Sequence, residues 1–498
     1  MKTFRLLPLT LAIGTALALP AQAQSLQELY DAARGYDAAY LSAKSQYDAN
    51  LARADQAKAG LLPTVNLSAG ATTNRIDYQE PAGTPSRSFD NQNATINATQ
   101  PLYRSANYSS YEQGKKQVEL AQAQLQAAEQ DLIVRVSQAY FDVLGAQDTL
   151  SFVQAQKAAV AEQLASAKRN FEVGTATITD TREAQARYDL VIAQEIAADN
   201  DLRVKRLALN QLVGKADTAP YPLTAGASLP ALLPEDVNAW IQQALDQHPS
   251  IRQARLGLEI AELETDKAKA GHKPTLDLTA SYGMNRNING NAFLSTPTTT
   301  YTMGTVGVQF NMPLFAGFAT QNRVKETLAL EDKARADLDN AQRSVTQGTR
   351  AAYFGVVSGL GQVKALEAAE ASSQSALDAN KLGYQVGVRI NIDVLNSQSQ
   401  LYQTKRDLAK ARYDVLVGGL KLRQANGSLK SEDLQAVNAL LAPPATPPAA
   451  PAAPAAPAAP ADQTAPAAPS APADQTAPAA PAAPADQTAP AAPADQPR

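Results

Sequence analysis

The most regular feature of the sequence is a seven-residue repeat of apolar side chains across residues 104–171. One track of the repeat consists of Tyr111, Val118, Leu125, Leu132, Ala139, Ala146, Val153 and Val160. A second track contains Val136, Val143, Leu150, Leu164 and Phe171. Heptads of this kind are typical of coiled coils, and the small residues among them favour close helix packing. The pattern predicts one helix of about 68 residues, which is roughly 100 Å long.

In four shorter segments the apolar period drops from seven to two. The alternating apolar residues are Val65, Leu67, Ala69 and Ala71; Ala94, Ile96 and Ala98; Leu276, Leu278, Ala280, Tyr282 and Met284; and Val306, Val308, Phe310 and Met312. Such alternation predicts β-strands with one apolar and one polar face. Tilted strands of about ten residues have the length that crosses an outer membrane. A soluble hairpin that covers a core is the alternative.

Each of these elements occurs twice. An offset of 213 residues places Tyr140-Phe141 on Tyr353-Phe354, Val173-Gly174 on Val386-Gly387, and Asp180 on Asp393. Upstream, an offset of 211 residues places Lys58-Ala59-Gly60 on Lys269-Ala270-Gly271. This tandem duplication predicts two structural repeats, 24–219 and 236–442, joined by a linker at 220–235. Each repeat should contain a helix, two strands and a long helical hairpin.

Shorter helical segments precede the strands and follow the hairpin turn in each repeat. In the first repeat, segments 25–59 and 180–212 together have about the length of the long helix at 104–171. The second repeat has the corresponding segments 236–270, 393–426 and 317–384. We therefore expect the short helices to stack end to end alongside each long helix.

The two ends of the chain have different compositions from the repeats. Basic residues precede an apolar run from Leu6 to Leu19, and Ala21-Gln22-Ala23 supplies the small residues that signal peptidase accepts. Residues 1–23 are therefore predicted to be a signal peptide. Residues 443–498 consist largely of Ala-Pro units with almost nothing to bury, which predicts an extended, disordered tail outside the fold.

The composition excludes several classes of function. The chain has no cysteine and two histidines, His248 and His272, so we expect no disulfide, no thiolate nucleophile and no metal site. The net charge of -4 is spread thinly, whereas nucleic-acid binding needs clustered Lys and Arg. No grouping of nucleophile, base and orienting residue recurs. We expect neither an enzyme nor a cofactor.

The predicted fold class is mainly α with a small β part. Long antiparallel helical hairpins form a coiled-coil-like α-barrel, and four strands per chain contribute to an outer-membrane β-barrel. Four strands cannot close a barrel, and the unpaired edges of an open sheet cannot lie in lipid. Several chains must therefore share one barrel.

These segments resemble the TolC family of outer-membrane exit ducts. The resemblance covers about residues 26–442, and its most specific pieces are Gly271-His-Lys-Pro-Thr-Leu-Asp-Leu-Thr-Ala-Ser281, Ala139-Tyr-Phe-Asp-Val-Leu144, Val173-Gly174 with Asp180, and Gly383-Tyr-Gln-Val-Gly-Val-Arg389 with Asp393-Val-Leu395. It implies a homotrimer with a 12-stranded barrel in outer-membrane lipid and a periplasmic tunnel. It also implies a periplasmic adaptor and an inner-membrane RND pump or ABC exporter as partners, with drugs or unfolded proteins as cargo. A trimeric coiled-coil stalk or adhesin is the alternative.

The resemblance implies three sets of functional residues at the hairpin turns, 172–179 and 385–392. The residues matching the periplasmic gate are Thr179, Asp180, Tyr384 and Arg389. A charge-assisted bond between Arg389 and Asp180 would act as its latch. The residues matching the pore constriction are Asp393 and Asn396. Both positions are Asp in the family pattern, so Asn396 halves the formal charge of this ring. The residues matching the adaptor contact are Val173, Gly174, Thr175, Val386, Gly387 and Val388.

Ordinary helix-end roles are the alternative for the same residues. Asp180 with Glu183 three residues later has the spacing of a helix N-cap and capping box. Asp393 would likewise be an N-cap, and Asn396 a polar residue of the first turn. The glycine of each turn would simply end the preceding helix.

Overall fold

The computed structural model describes residues 24–77, 86–224, 226–290 and 296–442. The predicted signal peptide and tail lie outside these residues. The described chain consists of helices and one antiparallel sheet of four strands, which confirms the predicted class of a mainly helical protein with a small β part. Among the described residues, no helix is both long enough and apolar enough to cross a membrane.

The two halves of the chain contain the same elements in the same order. The elements of the first half are α1 (Leu26–Tyr36), α2 (Ala38–Ala59), β1 (Thr64–Asp77), β2 (Ser86–Tyr103), α3 (Ser105–Glu172) and α4 (Ile178–Val213). Those of the second half are α5 (Val237–Gln247), α6 (Pro249–Lys269), β3 (Thr275–Ile288), β4 (Thr299–Asn311), α7 (Ala319–Gln385) and α8 (Asn391–Ala425). A short helix, α9 (Asp433–Asn438), follows them.

The predicted helices at 25–59 and 236–270 are each broken into two. Asp37 and His248 lie at the breaks in extended backbone, and each caps the next helix by accepting a backbone N–H, at 2.8 and 3.1 Å. A proline marks the second break in the sequence. The first break is stabilised by Arg135 of α3, which donates to both carboxylate oxygens of Asp37 at 2.8 and 3.0 Å. These hydrogen bonds hold the pKa of Asp37 below its ordinary value.

Each long helix packs against shorter helices, as the segment lengths predicted. α3 lies between α2 and α4, and α7 lies between α6 and α8. On α3 the heptad residues Leu132, Val153 and Val160 are at most 2% exposed, so the predicted seam is the buried side of the helix. The main core joins the two repeats where the ring of Phe141 stacks on that of Tyr413, with 5.6 Å between ring centroids.

The sheet has the strand order β1-β2-β3-β4, so the β2-β3 pair joins the repeats and β1 and β4 are edge strands. Leu67 lies opposite Ile96, which in turn lies opposite Tyr282. These three side chains are 73%, 49% and 64% exposed and form an apolar row across three strands. The neighbouring residue Asn97 belongs to the opposite, polar face. The sheet thus has one continuous apolar face and one polar face.

Candidate functional site at the hairpin tips

The two long hairpins end in turns of the same geometry. Gly174 and Gly387 adopt φ angles of +79° and +78°. After each glycine, two successive backbone N–H groups donate to one carbonyl, that of Asn170 in the first turn and that of Gly383 in the second. No atom lies within 4 Å of the position that a Cβ would occupy on either turn glycine. Glycine is needed here for the left-handed backbone rather than for space.

The helices that follow the turns are capped differently. Thr177 is the N-cap of α4, because its Oγ1 accepts from the Asp180 N–H at 3.2 Å and Asp180 Oδ2 accepts from the Thr177 N–H at 2.9 Å. The sequence interpretation of Asp180 as an N-cap paired with Glu183 was therefore wrong. In α8, Ile390 occupies the position of Thr177 and makes no side-chain cap. Asp393 consequently has no capping-box partner.

Arg389 follows the second turn and lies beside Asp393. Its Nη1 is 3.7 Å from Asp393 Oδ2, and the two side chains are 58% and 34% exposed. Within the described part of a single chain, Arg389 forms this pair rather than one with Asp180. An ion pair of this length and exposure contributes little to stability, so the guanidinium can exchange partners at small cost.

Hydrogen bonds connect the two hairpins close to their tips. Asn170 Nδ2 donates to the Tyr384 hydroxyl at 3.3 Å. The fully buried Asn391 donates to the Asp180 carbonyl at 3.3 Å and accepts from the Gln163 amide. Sequence reasoning included Tyr384 but missed Asn391, because an amide in the first turn of a helix is ordinarily exposed and no pattern marks it.

One helical turn beyond Asp393, Asn396 also has an arginine partner. Its Oδ1 accepts from Nη2 of Arg187, on α4, at 2.8 Å. Both residues of the implied constriction therefore lie beside a guanidinium, since Asp393 has Arg389. Positive charge beside each residue reduces the attraction of this region for cations. The sequence contains no signal for the role of Arg187.

The tips combine a polar groove with apolar ends. The groove between the hairpins has a volume of about 850 Å³ and includes Arg169, Asp180 and Lys381 in its lining. At the very tips, Val173, Val386 and Val388 are 73%, 66% and 79% exposed, and Thr175 and Thr179 are also exposed. The rigid hairpins therefore present small apolar ends to the surroundings.

Comparison with known proteins identifies the family. The model of a family described as outer membrane efflux protein matches residues 29–215 and 240–428, one segment in each repeat. The chain belongs to this family. A relative in the family, outer membrane protein TolC of Vibrio cholerae, is 37% identical over 437 residues, which cover 87% of this chain and 98% of the relative. The alkaline protease secretion protein AprF of Pseudomonas aeruginosa is 32% identical over 372 residues, which cover 74% and 75% of the two chains.

Solved structures agree with the family in fold. The outer membrane protein VceC of Vibrio cholerae matches with a TM-score of 0.68 at 20% identity, over 81% of this chain and 96% of VceC. The CmeC outer membrane channel of Campylobacter jejuni matches with a TM-score of 0.70 at 17% identity, over 84% and 90% of the two chains. The resemblance found in the sequence is confirmed. The chain is an outer-membrane channel protein whose helices extend into the periplasm.

Proposed function

We propose that the chain is the outer-membrane exit duct of a tripartite efflux pump or a type I secretion system. Three copies form a 12-stranded barrel and a periplasmic tunnel that carries drugs or unfolded proteins outward from an inner-membrane transporter. The observation that carries this proposal is the sheet, which has an apolar face, a polar face and two unpaired edges. Family membership favours the duct over a coiled-coil stalk or adhesin. A duct of this kind needs no enzymatic step and no cofactor.

The exposed residues of the edge strand β4 support a lipid-facing barrel. Val306, Val308 and Phe310 are 77%, 62% and 64% exposed and lie on the apolar face of the sheet. In lipid, the free N–H and C=O groups of an edge strand have no water to bond. Pairing β4 of one copy with β1 of the next satisfies these groups and closes the sheet. The apolar face then contacts lipid and the polar face lines the pore.

We expect the mature protein to be recovered from outer-membrane fractions as a heat-modifiable trimer. The reason is that each chain leaves two strand edges open, and a closed ring of chains removes them. The measurement is electrophoresis in mild detergent with and without heating, combined with light scattering of the purified protein. A monodisperse monomer that retains its β-structure in mild detergent would contradict the shared barrel.

The far end of the duct is the gate, which opens by an iris-like movement of the hairpin tips. Arg389 has two possible acidic partners, Asp393 on its own helix at 3.7 Å and Asp180 of a neighbouring chain. Thr177 holds the Asp180 carboxylate in place through its backbone N–H and its hydroxyl, at 2.9 and 2.8 Å. In the closed state Arg389 binds Asp180, and Thr179 and Tyr384 add neutral contacts; in the open state Arg389 returns to Asp393.

Two further roles follow from the same tips. Asp393 and Asn396 line the narrowest ring of the pore, where Arg389 and Arg187 moderate its negative charge. The periplasmic adaptor docks on the turn residues, namely Val173, Gly174, Thr175, Val386, Gly387 and Val388. Exposed valines at the end of a rigid hairpin fit such a docking role, because their burial against a partner is favourable.

The transport role is tested by deleting the gene in its own cells. Loss of the duct should raise drug sensitivity or stop the secretion of a protein, and the wild-type gene should restore export. The double variant Val386→Asp with Val388→Asp should not restore it, because charged side chains oppose apolar docking. Both valines are at least 66% exposed, so the amount of trimer should remain unchanged. Export by the double variant at the wild-type level would remove the adaptor contact from the proposal.

A further inference from the structure

The duplication extends to the exact register of the strands. Thr64 lies opposite Thr99 in the first hairpin, and Thr275 lies opposite Asn311 in the second. These pairs coincide when β1 is shifted by 211 residues onto β3 and β2 by 212 residues onto β4. The two hairpins therefore have one register. The same offsets can be applied to the β2-β3 pair, which joins the repeats within a chain, to obtain the pairing between chains.

In the β2-β3 pair, Ala98 lies opposite Ala280 and Thr99 lies opposite Thr279. The offsets convert these positions into Phe310 and Ala69, and into Asn311 and Ser68. We propose that β4 of one copy pairs with β1 of the next copy in this register, with Phe310 opposite Ala69 and Asn311 opposite Ser68. This inference rests on the proposed trimeric duct and specifies its chain-to-chain seam.

The faces of the strands give an independent check on this register. The register places Val308 opposite Ala71, both on the apolar face, and Gln309 opposite Gly70, both on the other face. A slip of one residue would place Val308 opposite Gly70 and turn apolar residues of one strand toward the polar face of the next. The offsets were taken from backbone pairing alone, so the agreement of the faces is a separate observation.

At the periplasmic end, the seam between repeats within the chain is polar. Arg104 donates to the two carboxylate oxygens of Asp277 at 2.8 and 2.6 Å. Lys273 Nζ lies 3.3 Å from the hydroxyl of Ser105. These contacts tie the start of α3 to the start of β3. The corresponding contacts between chains involve the start of α7 and the start of β1.

The corresponding residues of the chain-to-chain seam lack this polarity. The positions equivalent to Asp277, Lys273 and Ser105 are Asn66, Leu62 and Phe318, and Arg104 falls at the uncharged Ala316-Gly317. Leu62 and Phe318 are 50% and 62% exposed in the single chain. Phe318 also has a φ of +66°, which is unusual for a bulky residue. Phe318 of one copy therefore packs against Leu62 of the next, where the chain itself has the Lys273-Ser105 contact.

Cysteine cross-linking tests the register without background, because the chain has no cysteine. The test variant is Ser68→Cys with Asn311→Cys, and the matched control is Ser68→Cys with Gln309→Cys, which requires a two-residue slip on the same face. Opposite Cβ atoms lie about 5 Å apart and diagonal ones about 7 Å, whereas a disulfide needs about 4 Å. Oxidised trimers of the test variant should resist denaturing electrophoresis until they are reduced, in about tenfold excess over the control.

Other outcomes would overturn the register or the duct separately. Cross-linking of the control as efficient as that of the test variant would reject the register while leaving a trimeric duct. Failure to form any trimer before oxidation, in the unsubstituted chain, would reject the proposed function as well. If the test variant does not assemble, Ala69→Cys with Phe310→Cys makes the same comparison on the apolar face, with Ala69→Cys and Val308→Cys as its control.

The apolar contact has its own test. Phe318→Asn removes the ring while keeping a residue that tolerates the left-handed backbone, so the chain should fold but its trimer should dissociate at a lower temperature. Adding Leu62→Lys reproduces the polar contact found within the chain and should restore the dissociation temperature. Failure of this second change to restore the trimer would show that Leu62 does not face Phe318.

Discussion

Replacing Gly427 with alanine is expected to destabilise the fold by about 2 to 5 kcal/mol, from a left-handed backbone cost of about 1 to 2 and an overpacking cost of about 1 to 3 kcal/mol. Gly427 ends α8 with a φ of +78°. A Cβ at this position would lie 2.5 Å from Cα and 2.9 Å from the backbone nitrogen of His248. Because the obstructing atoms are backbone, no side-chain rotation can relieve the contact.

The surroundings of Gly427 also prevent its own backbone from moving. The buried Gln130 amide donates to the carbonyls of Gly427 and Leu429 at 3.0 and 3.1 Å. On the other side, His248 caps α6 at the break between α5 and α6. A shift of either segment would break a buried hydrogen bond or a helix cap, each of which stabilises the fold by about 1 kcal/mol.

The matched control is Gly387→Ala, since Gly387 has the same φ of +78° and no atom within 4 Å of the added Cβ. This variant should lose only the backbone cost of about 1 to 2 kcal/mol. Thermal and denaturant unfolding of the two variants, together with the yield of trimer, provides the measurement. Equal losses in both variants would show that the close approach of His248 is not the cause.

Arg389→Ser combined with Tyr384→Phe is expected to increase the conductance of the duct while leaving its melting temperature nearly unchanged. The double variant removes the charge-assisted bond proposed between Arg389 and Asp180, worth about 1 to 3 kcal/mol, and a neutral hydroxyl bond worth about 1 kcal/mol. Three copies around the trimer multiply the loss. The barrel and the coiled coil do not depend on these side chains, because both lie at the hairpin tips.

Single-channel conductance in a planar bilayer and thermal unfolding of the same preparation test the gate. The control is Asp393→Asn, which removes the acidic partner of Arg389 within its own chain and should favour the closed state. Its conductance should stay at or below the wild-type value. An unchanged conductance in the Arg389 and Tyr384 double variant would reject the latch. A large drop in its melting temperature would instead assign these side chains a structural role.

The regular parts of this fold follow from periodicity. The heptads at 104–171 predicted a helix that the structure places at Ser105–Glu172, and the alternation of Leu67 with its neighbours predicted a strand with two distinct faces. The strands extend beyond the apolar residues, to Asp77 in β1, because cross-strand hydrogen bonds continue where the side chains become polar. Periodic elements are predictable since every turn of a helix or pair of strand residues repeats the same evidence.

The site depends on single contacts, which carry no period. The break at Asp37 is stabilised by Arg135, which is distant in the sequence, and a continuous helix was predicted there. The cap of α4 is Thr177 rather than Asp180, although both residues have suitable side chains. The burial of Asn391 results from the meeting of the two hairpins and not from its neighbours in the chain. Such choices are made by three-dimensional packing, so the sequence leaves them open.

The pairing of β2 with β3 inside one chain changes how the proposed ring assembles. A chain with a single repeat would have to bring together twice as many molecules to close the same barrel. Duplication makes half of these encounters intramolecular, at effective concentrations on the order of millimolar for a short flexible linker. Only the remaining encounters, between β4 and β1 of separate copies, depend on how much protein reaches the membrane. Covalent linkage also distinguishes the two kinds of seam, so that each can vary in sequence without changing the other.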